Sequence, residues 1–502
     1  MHARRISWAA CLGAWLLSAR SAEAACPAAA SARAPLCRNA YTVEVVQGPV
    51  LAPLAVLAMG GAYAAIADGV EGLGSNASAA AVRAPYAASW FSYDFSYGAS
   101  LPGAFGRTDF DNRGEVGLNS TAFFYTLGGI LQWGPFGIGA NADFQRYSLA
   151  KTDTTPGSVV SIGNFHVSAA YALLSHQLFV GAGLRGMRTG VYTLAQGASP
   201  RAVFVSTNEQ SLSMLGFAPE LGFVVAPDWS PWRLGATYRF PVSSSGEPNG
   251  TVVTGDDGVR RAGGFPVPDK VVQPWEMQVG VVLSAGPRPL NPKWLNPHEQ
   301  EAVVHQRIAH AREQRRLANE VELARITDDA ARARRAAEIA ERERRVRDQE
   351  DANFDEWASL LKAERKARYR NWPRARIQVA AEVVVTGTSE NAVGLQSFLR
   401  REDVPSGSKR TIQPRLGIEG EPIPYWMIAR VGTYIEQTRY RVSPEPGLLA
   451  GARQHFTFGI EQKMFTWGAL GLYNAQTEWR ITFAGDIAPR YQNIGLSIGT
   501  WH

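Results

Sequence analysis

Cysteine is scarce, with three among 502 residues, so neither a disulfide-dense scaffold nor a thiolate metal centre fits this chain. Apolar runs long enough to make a membrane-spanning helix are also missing. The run Ile6–Ala19 ends at Arg20, short of the roughly 20 residues a span requires. The uncharged stretch from Pro49 to Ala67 is interrupted by Pro53 and by Gly60-Gly61, which break helices. Phosphate-loop, dinucleotide and paired-cysteine motifs are absent, so the chemistry calls for no cofactor. Charged residues amount to only 19%, and the net charge of +6 includes Arg4, Arg5 and Arg20 at the extreme N-terminus. That surplus is too small and too dispersed to suggest nucleic acid as a partner.

Arg4 and Arg5, the short apolar run and Ala22-Glu23-Ala24 together form a secretory leader. Cleavage after Ala24 or Ala25 would leave residues 25 onward. Glu23 occupies the position where a lipoprotein needs a branched apolar residue, three before Cys26, which disfavours a lipid anchor there. Removal of the leader takes Cys11 away and leaves Cys26 and Cys37 in an oxidising compartment, where a short-loop disulfide is one reading and two unpaired thiols the other.

From residue 86 onward, apolar and polar or glycine residues alternate at period two, the pattern of strands with one apolar face. Trp232, Leu234, Ala236, Tyr238 and Phe240 share one face, and Arg233, Gly235, Thr237 and Arg239 the other. Phe456, Phe458 and Ile460 alternate in the same way with Thr457, Gly459 and Glu461. Tight links such as Gly134-Pro135 and Ser175-His176 take turns with long ones such as Val242–Val272 and Gly387–Lys409. A transmembrane barrel generates this asymmetry, because one end carries turns and the other carries loops. About fourteen antiparallel strands follow, with apolar side chains facing lipid and the charged face lining a lumen. The expected fold class is therefore an all-β transmembrane barrel in the outer membrane of a Gram-negative cell, reached through the general secretory route. Tryptophans at strand ends, Trp133, Trp232, Trp275, Trp426 and Trp467, fit an interfacial girdle as a set.

The segment from His298 to Trp372 has neither glycine nor proline, is bounded by Pro297 and Pro373, and has basic and acidic residues that cancel to within one charge. It reads as helix. An unbroken helix of that length would run on the order of 110 Å, whereas the strands it joins lie only about 5 Å apart. The segment must therefore fold back as a helical hairpin. Thr327-Asp328-Asp329 and Asp351-Ala352-Asn353 are the candidate reversals, since each offers an N-cap residue. Ile308, Leu317, Val321, Ala324 and Ile339 are too sparse for a heptad seam. Strand order places the hairpin on the periplasmic side, where it would be either an arm for a periplasmic protein or a solvated spacer. The expected organisation is a leader at 1–24, an N-terminal segment with a plug at 25–85, barrel halves at 86–286 and 374–502, and the proline-bounded insertion at 287–373.

Gly60-Gly61-Ala62-Tyr63-Ala64-Ala65-Ile66-Ala67-Asp68, then Asn76-Ala77-Ser78, and later Pro414–Glu419, Ala429–Tyr434 and His455–Ile460 resemble the outer-membrane long-chain fatty acid transporter family, the FadL-like barrels. The family carries proline after the asparagine, where this chain has Ala77. The resemblance implies a lumen blocked by a small-residue hatch and passive movement of hydrophobic compounds such as long-chain fatty acids. Gly60, Gly61, Asp68 and Asn76 are the hatch candidates it points to, with Asn76 pinning the hatch by hydrogen bonds. A structural or docking barrel and a general porin are the other functional readings.

No metal site is expected, because His298, His305 and His310 lack the spacing that puts two ligands on one helix face. His166 and Ser168 share a strand face but point into the lumen, and no third residue can be named to orient them, so a catalytic reading is disfavoured and the chain is read as a non-enzyme.

Overall fold

The computed structural model describes residues 34–500 apart from positions 47, 84–86, 88, 105–107, 115–118, 150–156, 194–208, 250, 441–450 and 469–476. The leader and Cys26 lie outside the described residues. Cys37 is disulfide-bonded.

Fourteen strands form one closed antiparallel barrel. They are β1 (Phe91–Ser100), β2 (Asn119–Trp133), β3 (Phe136–Leu149), β4 (Ser158–Leu173), β5 (Leu178–Thr193), β6 (Glu209–Val225) and β7 (Trp232–Arg239) in the first half. The second half contains β8 (Glu276–Ala285), β9 (Ile377–Thr386), β10 (Thr411–Ile423), β11 (Met427–Gln437), β12 (Ala452–Thr466), β13 (Glu478–Ala488) and β14 (Tyr491–Thr500). Closure comes from Ser96–Ser100 of β1 pairing with Gly495–Gly499 of β14, which removes the edges that an open sheet would expose.

The exterior inverts the rule for soluble proteins. On β12, Phe456 is 60% exposed while Glu461 is 2% exposed, as expected of a wall with hydrocarbon outside and polar groups within. Leu131, Val167, Leu184, Phe217, Leu283, Val431 and Leu496 continue the exposed apolar surface around the barrel. Among the described residues no helix is long and apolar enough to cross a membrane. A closed barrel with an apolar exterior places the chain in an outer membrane.

Among the described residues two bodies fill the interior. The first is the segment expected to serve as a hatch, a helix α1 (Leu54–Ala58) followed by single 3₁₀ turns at Val70–Gly72 and Ala77–Ala81, all buried. The second sits at the end carrying the long loops. There Thr42–Glu44 runs parallel to both Lys270–Gln273 and Ala392–Gly394, at the centre of a five-stranded inner sheet. Tyr41, Phe110, Tyr147, Ile162, Met187, Met214, Phe265 and Phe398 pack around this sheet as one apolar cluster. Residues 41–45 of the N-terminal segment belong to the loop end, and long-loop segments turn inward, which buries their apolar residues against the inner wall.

The insertion forms α2 (Pro297–Ala324) and α3 (Asp329–Arg370). It leaves β8 and returns to β9 at the short-turn end, and all ten residues of β8 pair with β9. The reversal falls just before α3, where the Asp328 carboxylate accepts from Ala331 N at 2.7 Å. The alternative at Asp351-Ala352-Asn353 does not occur. Those residues lie inside α3, and Asp351 pairs across the hairpin with Arg312 at 2.7 Å. Cross-hairpin pairs Arg315–Glu343 and Arg335–Glu322 supply what the missing heptad seam cannot.

Candidate functional site: the hatch and the cavity above it

The hatch begins with a turn that only glycine fits. Gly60 and Gly61 adopt φ of +63° and +79°, the left-handed region that costs other residues energy. A Cβ on Gly60 would also come within 3.0 Å of Leu416 O on β10 and of the Thr433 backbone on β11. After this turn Ala62 N stays within the hatch, on Met59 O, and the two N–H groups that follow it point at the wall. Tyr63 N and Ala64 N both donate to Glu382 Oε2 of β9, at 3.0 and 2.8 Å. Arg415 of β10 binds the other carboxylate oxygen at 3.2 Å and Gly61 O at 3.1 Å.

Farther along, Asp68 receives a 2.7 Å bond from Arg233 of β7, whose same nitrogen reaches Ile66 O at 2.9 Å. Asn76 is fully buried. Its Nδ2 donates to Ala64 O within the hatch at 2.8 Å, to Phe223 O of β6 at 3.0 Å and to Ala236 O of β7 at 3.3 Å. Its Oδ1 accepts from Ser78 N and Ser78 Oγ at 3.0 and 2.9 Å. One side chain thus joins two hatch turns to two adjacent wall strands.

The wall makes room for these contacts by omitting side chains. A Cβ on Gly137 of β3 would stand 1.8 Å from Ala80 O, and one on Gly235 of β7 would stand 2.2 Å from Ala64 O. Beside them run lumen ion pairs. Arg430 bonds Glu419 and Glu461 at 2.7 Å each, and Arg480 reaches Glu71 of the hatch at 3.2 Å. Such pairs satisfy one another in an interior that would otherwise penalise each charge.

At the turn end, the proline-rich stretch between β8 and α2 folds under the hatch. Arg233 donates to Leu290 O at 2.9 Å and to Asn291 Oδ1 at 2.5 Å. Trp294 lies 4.6 Å from the His176 ring and 4.7 Å under the Arg83 guanidinium. Burial lowers the pKa of both His176 and Arg83, the latter to about 10. Arg233 therefore touches the hatch and the root of the hairpin at once.

Above the hatch lies a cavity of about 230 Å³. Its floor is Pro49–Ala52, Val56 and Gly74–Ser75, and its walls come from β3, β4, β5 and β7 to β11. Next to it the barrel ladder is interrupted. β6 and β7 pair from Val225/Leu234 to Glu220/Arg239, with Phe240 N bonded to Pro219 O at 3.1 Å. Pairing resumes only at Ser213/Glu247, because Val242–Ser244 has turned inward to join the inner sheet. Pro219 has no N–H to offer. The Phe240 carbonyl is taken instead by Arg185 of β5, whose guanidinium binds Phe240 O at 2.6 and 3.0 Å and Pro274 O at 2.7 Å.

Among the solved structures to which this chain is similar are hydrophobic-compound channels of the FadL family. The CymD monoaromatic hydrocarbon channel is 10% identical, with 91% of this chain and 97% of that chain covered at a TM-score of 0.44. A Pseudomonas aeruginosa FadL homologue is 10% identical over 92% of this chain and 99% of that one, at a TM-score of 0.43. The Pseudomonas putida toluene transporter TodX is 11% identical over 90% and 98%, at a TM-score of 0.41. No protein-family model matches, and no curated protein matches.

The four candidates from the sequence, Gly60, Gly61, Asp68 and Asn76, lie in one continuous set of hatch contacts. Alternation assigns their partner Arg233 to a water-facing strand side and does not single out Glu382 or Arg415, since it reports a face and not a partner. Gly137 and Gly235 were legible only as small lumen residues. His166 Nδ1 bonds Glu220 at 2.9 Å, so the ring has a carboxylate partner on β6. His298 stacks on Trp90 at 4.0 Å and His305 lies 4.2 Å from the Phe354 ring. Among the described residues no group of three histidine, cysteine or acidic side chains is placed to hold a metal.

Proposed function

We propose that this barrel carries hydrophobic compounds across the outer membrane by passive diffusion, a class in which the sequence resemblance places long-chain fatty acids. The carrying observation is the character of the inner wall. At the loop end it turns apolar, with Ile162, Met187, Val191, Leu212 and Met214 buried there, while the hatch fills the turn end. A water-filled porin has a polar, open lumen and needs neither feature. Short turns face the periplasm in such barrels and long loops face outward, so solute enters by the apolar end and meets the hatch from above.

Release then follows one of two routes: past the hatch, or sideways where β6 and β7 part at Pro219. Arg185 stands at the second route, holding the carbonyls on its far side. Gly60, Gly61, Asp68 and Asn76 act as the elements that keep the hatch shut. The chain reaches its membrane through the general secretory route, with the leader expected at residues 1–24.

Reconstitution into liposomes tests the reading. Uptake of a hydrophobic probe above that of empty vesicles is expected, without swelling in small sugars. Sugar-driven swelling with no hydrophobic uptake would establish a porin and refute the proposal. Arg185→Met should change hydrophobic flux while sugar permeation stays negligible.

A second reading, docking of a periplasmic protein to the hairpin, is favoured by Arg233, which binds hatch and hairpin root together. Replacing 298–372 by a short turn should leave a folded barrel with normal uptake under the transport reading. Loss of a co-purifying protein together with unchanged uptake would support docking as an additional role.

A further inference from the structure

The cavity above the hatch has an uneven hydrogen-bonding inventory. Its arginines are already committed. Arg239 binds Glu276 and Gly74 O, Arg415 binds Glu382, Gln413 and Gly61 O, and Arg439 binds Glu44 and Gly387 O. Arg185 holds the two carbonyls already described. An incoming carboxylate would have to break one of these sets before it gained a partner.

Unused capacity points the other way. Among the described residues lining the cavity, the buried side-chain atoms without a hydrogen bond include the acceptors Asn164 Oδ1, Gln278 Oε1 and Glu436 Oε1, against a single nitrogen donor, Arg239 Nε. That nitrogen lies 3.5 Å from Glu220 Oε2, so even it faces an anion. Gln278 is 5% exposed and Glu436 is 2% exposed. The Gln278 oxygen is fixed by chemistry, because its amide nitrogen donates to Glu276 at 2.8 Å and a flip would set two acceptors face to face. Buried acceptors without donors are costly, and a ligand that donates into them recovers that cost.

Size narrows the class further. An apolar cavity of about 150 Å³ takes up benzene, so about 230 Å³ suits a single ring with a short arm. The floor and one wall supply the apolar contact, through Pro49, Leu51, Val56 and Ile162.

We propose that this cavity is a binding site for ring-sized compounds bearing a hydrogen-bond donor, a hydroxyl or an amine, and that it selects against carboxylates. The inference rests on the transport reading and names the substrate class within it.

The test is a four-member series of equal size: benzyl alcohol, benzylamine, toluene and benzoate. Binding is measured by equilibrium dialysis of the purified full chain in detergent micelles against protein-free micelles. Benzyl alcohol and benzylamine should bind about tenfold more tightly than toluene, the worth of roughly one buried hydrogen bond, with benzoate weakest. Gln278→Met should narrow the gap between benzyl alcohol and toluene from about tenfold to about twofold. Benzoate binding as well as benzyl alcohol, or toluene binding as well as either donor, overturns the inference. Should the Gln278 variant not fold, as read by loss of heat-dependent gel mobility, the ligand order in the parent decides alone. Flux of the same four compounds into liposomes separates the two claims. Flux of none of them defeats the transport reading, whereas flux without the predicted order of affinities defeats only this site.

Discussion

Replacing Asn76 by alanine removes three donated and two accepted hydrogen bonds from a site with no exposure. Three of the groups left behind are backbone carbonyls, and two of those belong to wall strands that keep their ladder. The loss there is modest. Ser78 N and Oγ, by contrast, become buried donors without an acceptor, at about 1–3 kcal/mol for such groups. Together with the net value of the donated bonds, about 1 kcal/mol each at most, this gives an estimate of about 3 kcal/mol for the hatch. None of this falls on barrel closure, which the strand ladders maintain. A change of that size shifts the ratio of closed to open hatch by about a hundredfold, so the open probability in planar-bilayer recordings should rise by that order. Asn76→Asp is the sharper control. It keeps the shape and the bonds to Ser78 but sets a carboxylate against three carbonyl oxygens, so it should open the hatch at least as much. A closed, parent-like Asn76→Asp barrel would refute the pinning role. An Asn76→Ala chain that loses its heat-dependent mobility would show instead that the residue serves barrel assembly.

Gly235→Val should displace the hatch, since the new Cβ would stand 2.2 Å from Ala64 O. Limited proteolysis of the folded barrel should then cut within residues 60–80, and an unchanged digest would argue that the hatch yields elsewhere. Phe458→Arg puts a charge on the lipid face of β12, which costs about 2–4 kcal/mol at the bilayer midplane. Urea unfolding in vesicles measures it, and a cost below about 1 kcal/mol would contradict the outward orientation. Burial pushes the Asp111 carboxyl up to about 7, against the lowering effect of its hydrogen bond from Tyr440. Its folded value lies above its unfolded one, so the folded loop end binds the extra proton. Stability should therefore rise as pH falls through about 7 toward the ordinary carboxylate range, and level off below it. Amide-exchange protection at Thr42–Glu44 should increase from pH 8 to pH 5, and Asp111→Asn should flatten that dependence.

The barrel was legible in the sequence because a lipid-facing wall imposes a rule on every second residue. Phe456, Phe458 and Ile460 against Thr457, Gly459 and Glu461 state it within six positions. The hairpin was legible for a related reason: a long stretch rich in alanine, arginine and glutamate without glycine or proline favours helix, and its ends must return to neighbouring strands. Choosing between Asp328 and Asp351 as the reversal was beyond the sequence, since both are good caps and only pairs such as Arg312–Asp351 fix the register of one helix against the other. Gly60-Gly61 and Asn76 stood out through a resemblance, yet their partners did not. Glu382 lies more than 300 residues from Tyr63, and Arg233 lies 165 from Asp68.

By itself, then, the order of residues determined the faces: which atoms meet hydrocarbon, which meet the lumen, and where the chain leaves the wall. Periodicity is a local property, and solvent imposes it one strand at a time. Tertiary structure alone decided what fills the lumen. The inner sheet built on Thr42–Glu44, the glycine gaps at Gly137 and Gly235, the break beside Pro219 and the acceptor-rich cavity all depend on distances between remote segments. Such distances exist only once the fourteen strands have closed.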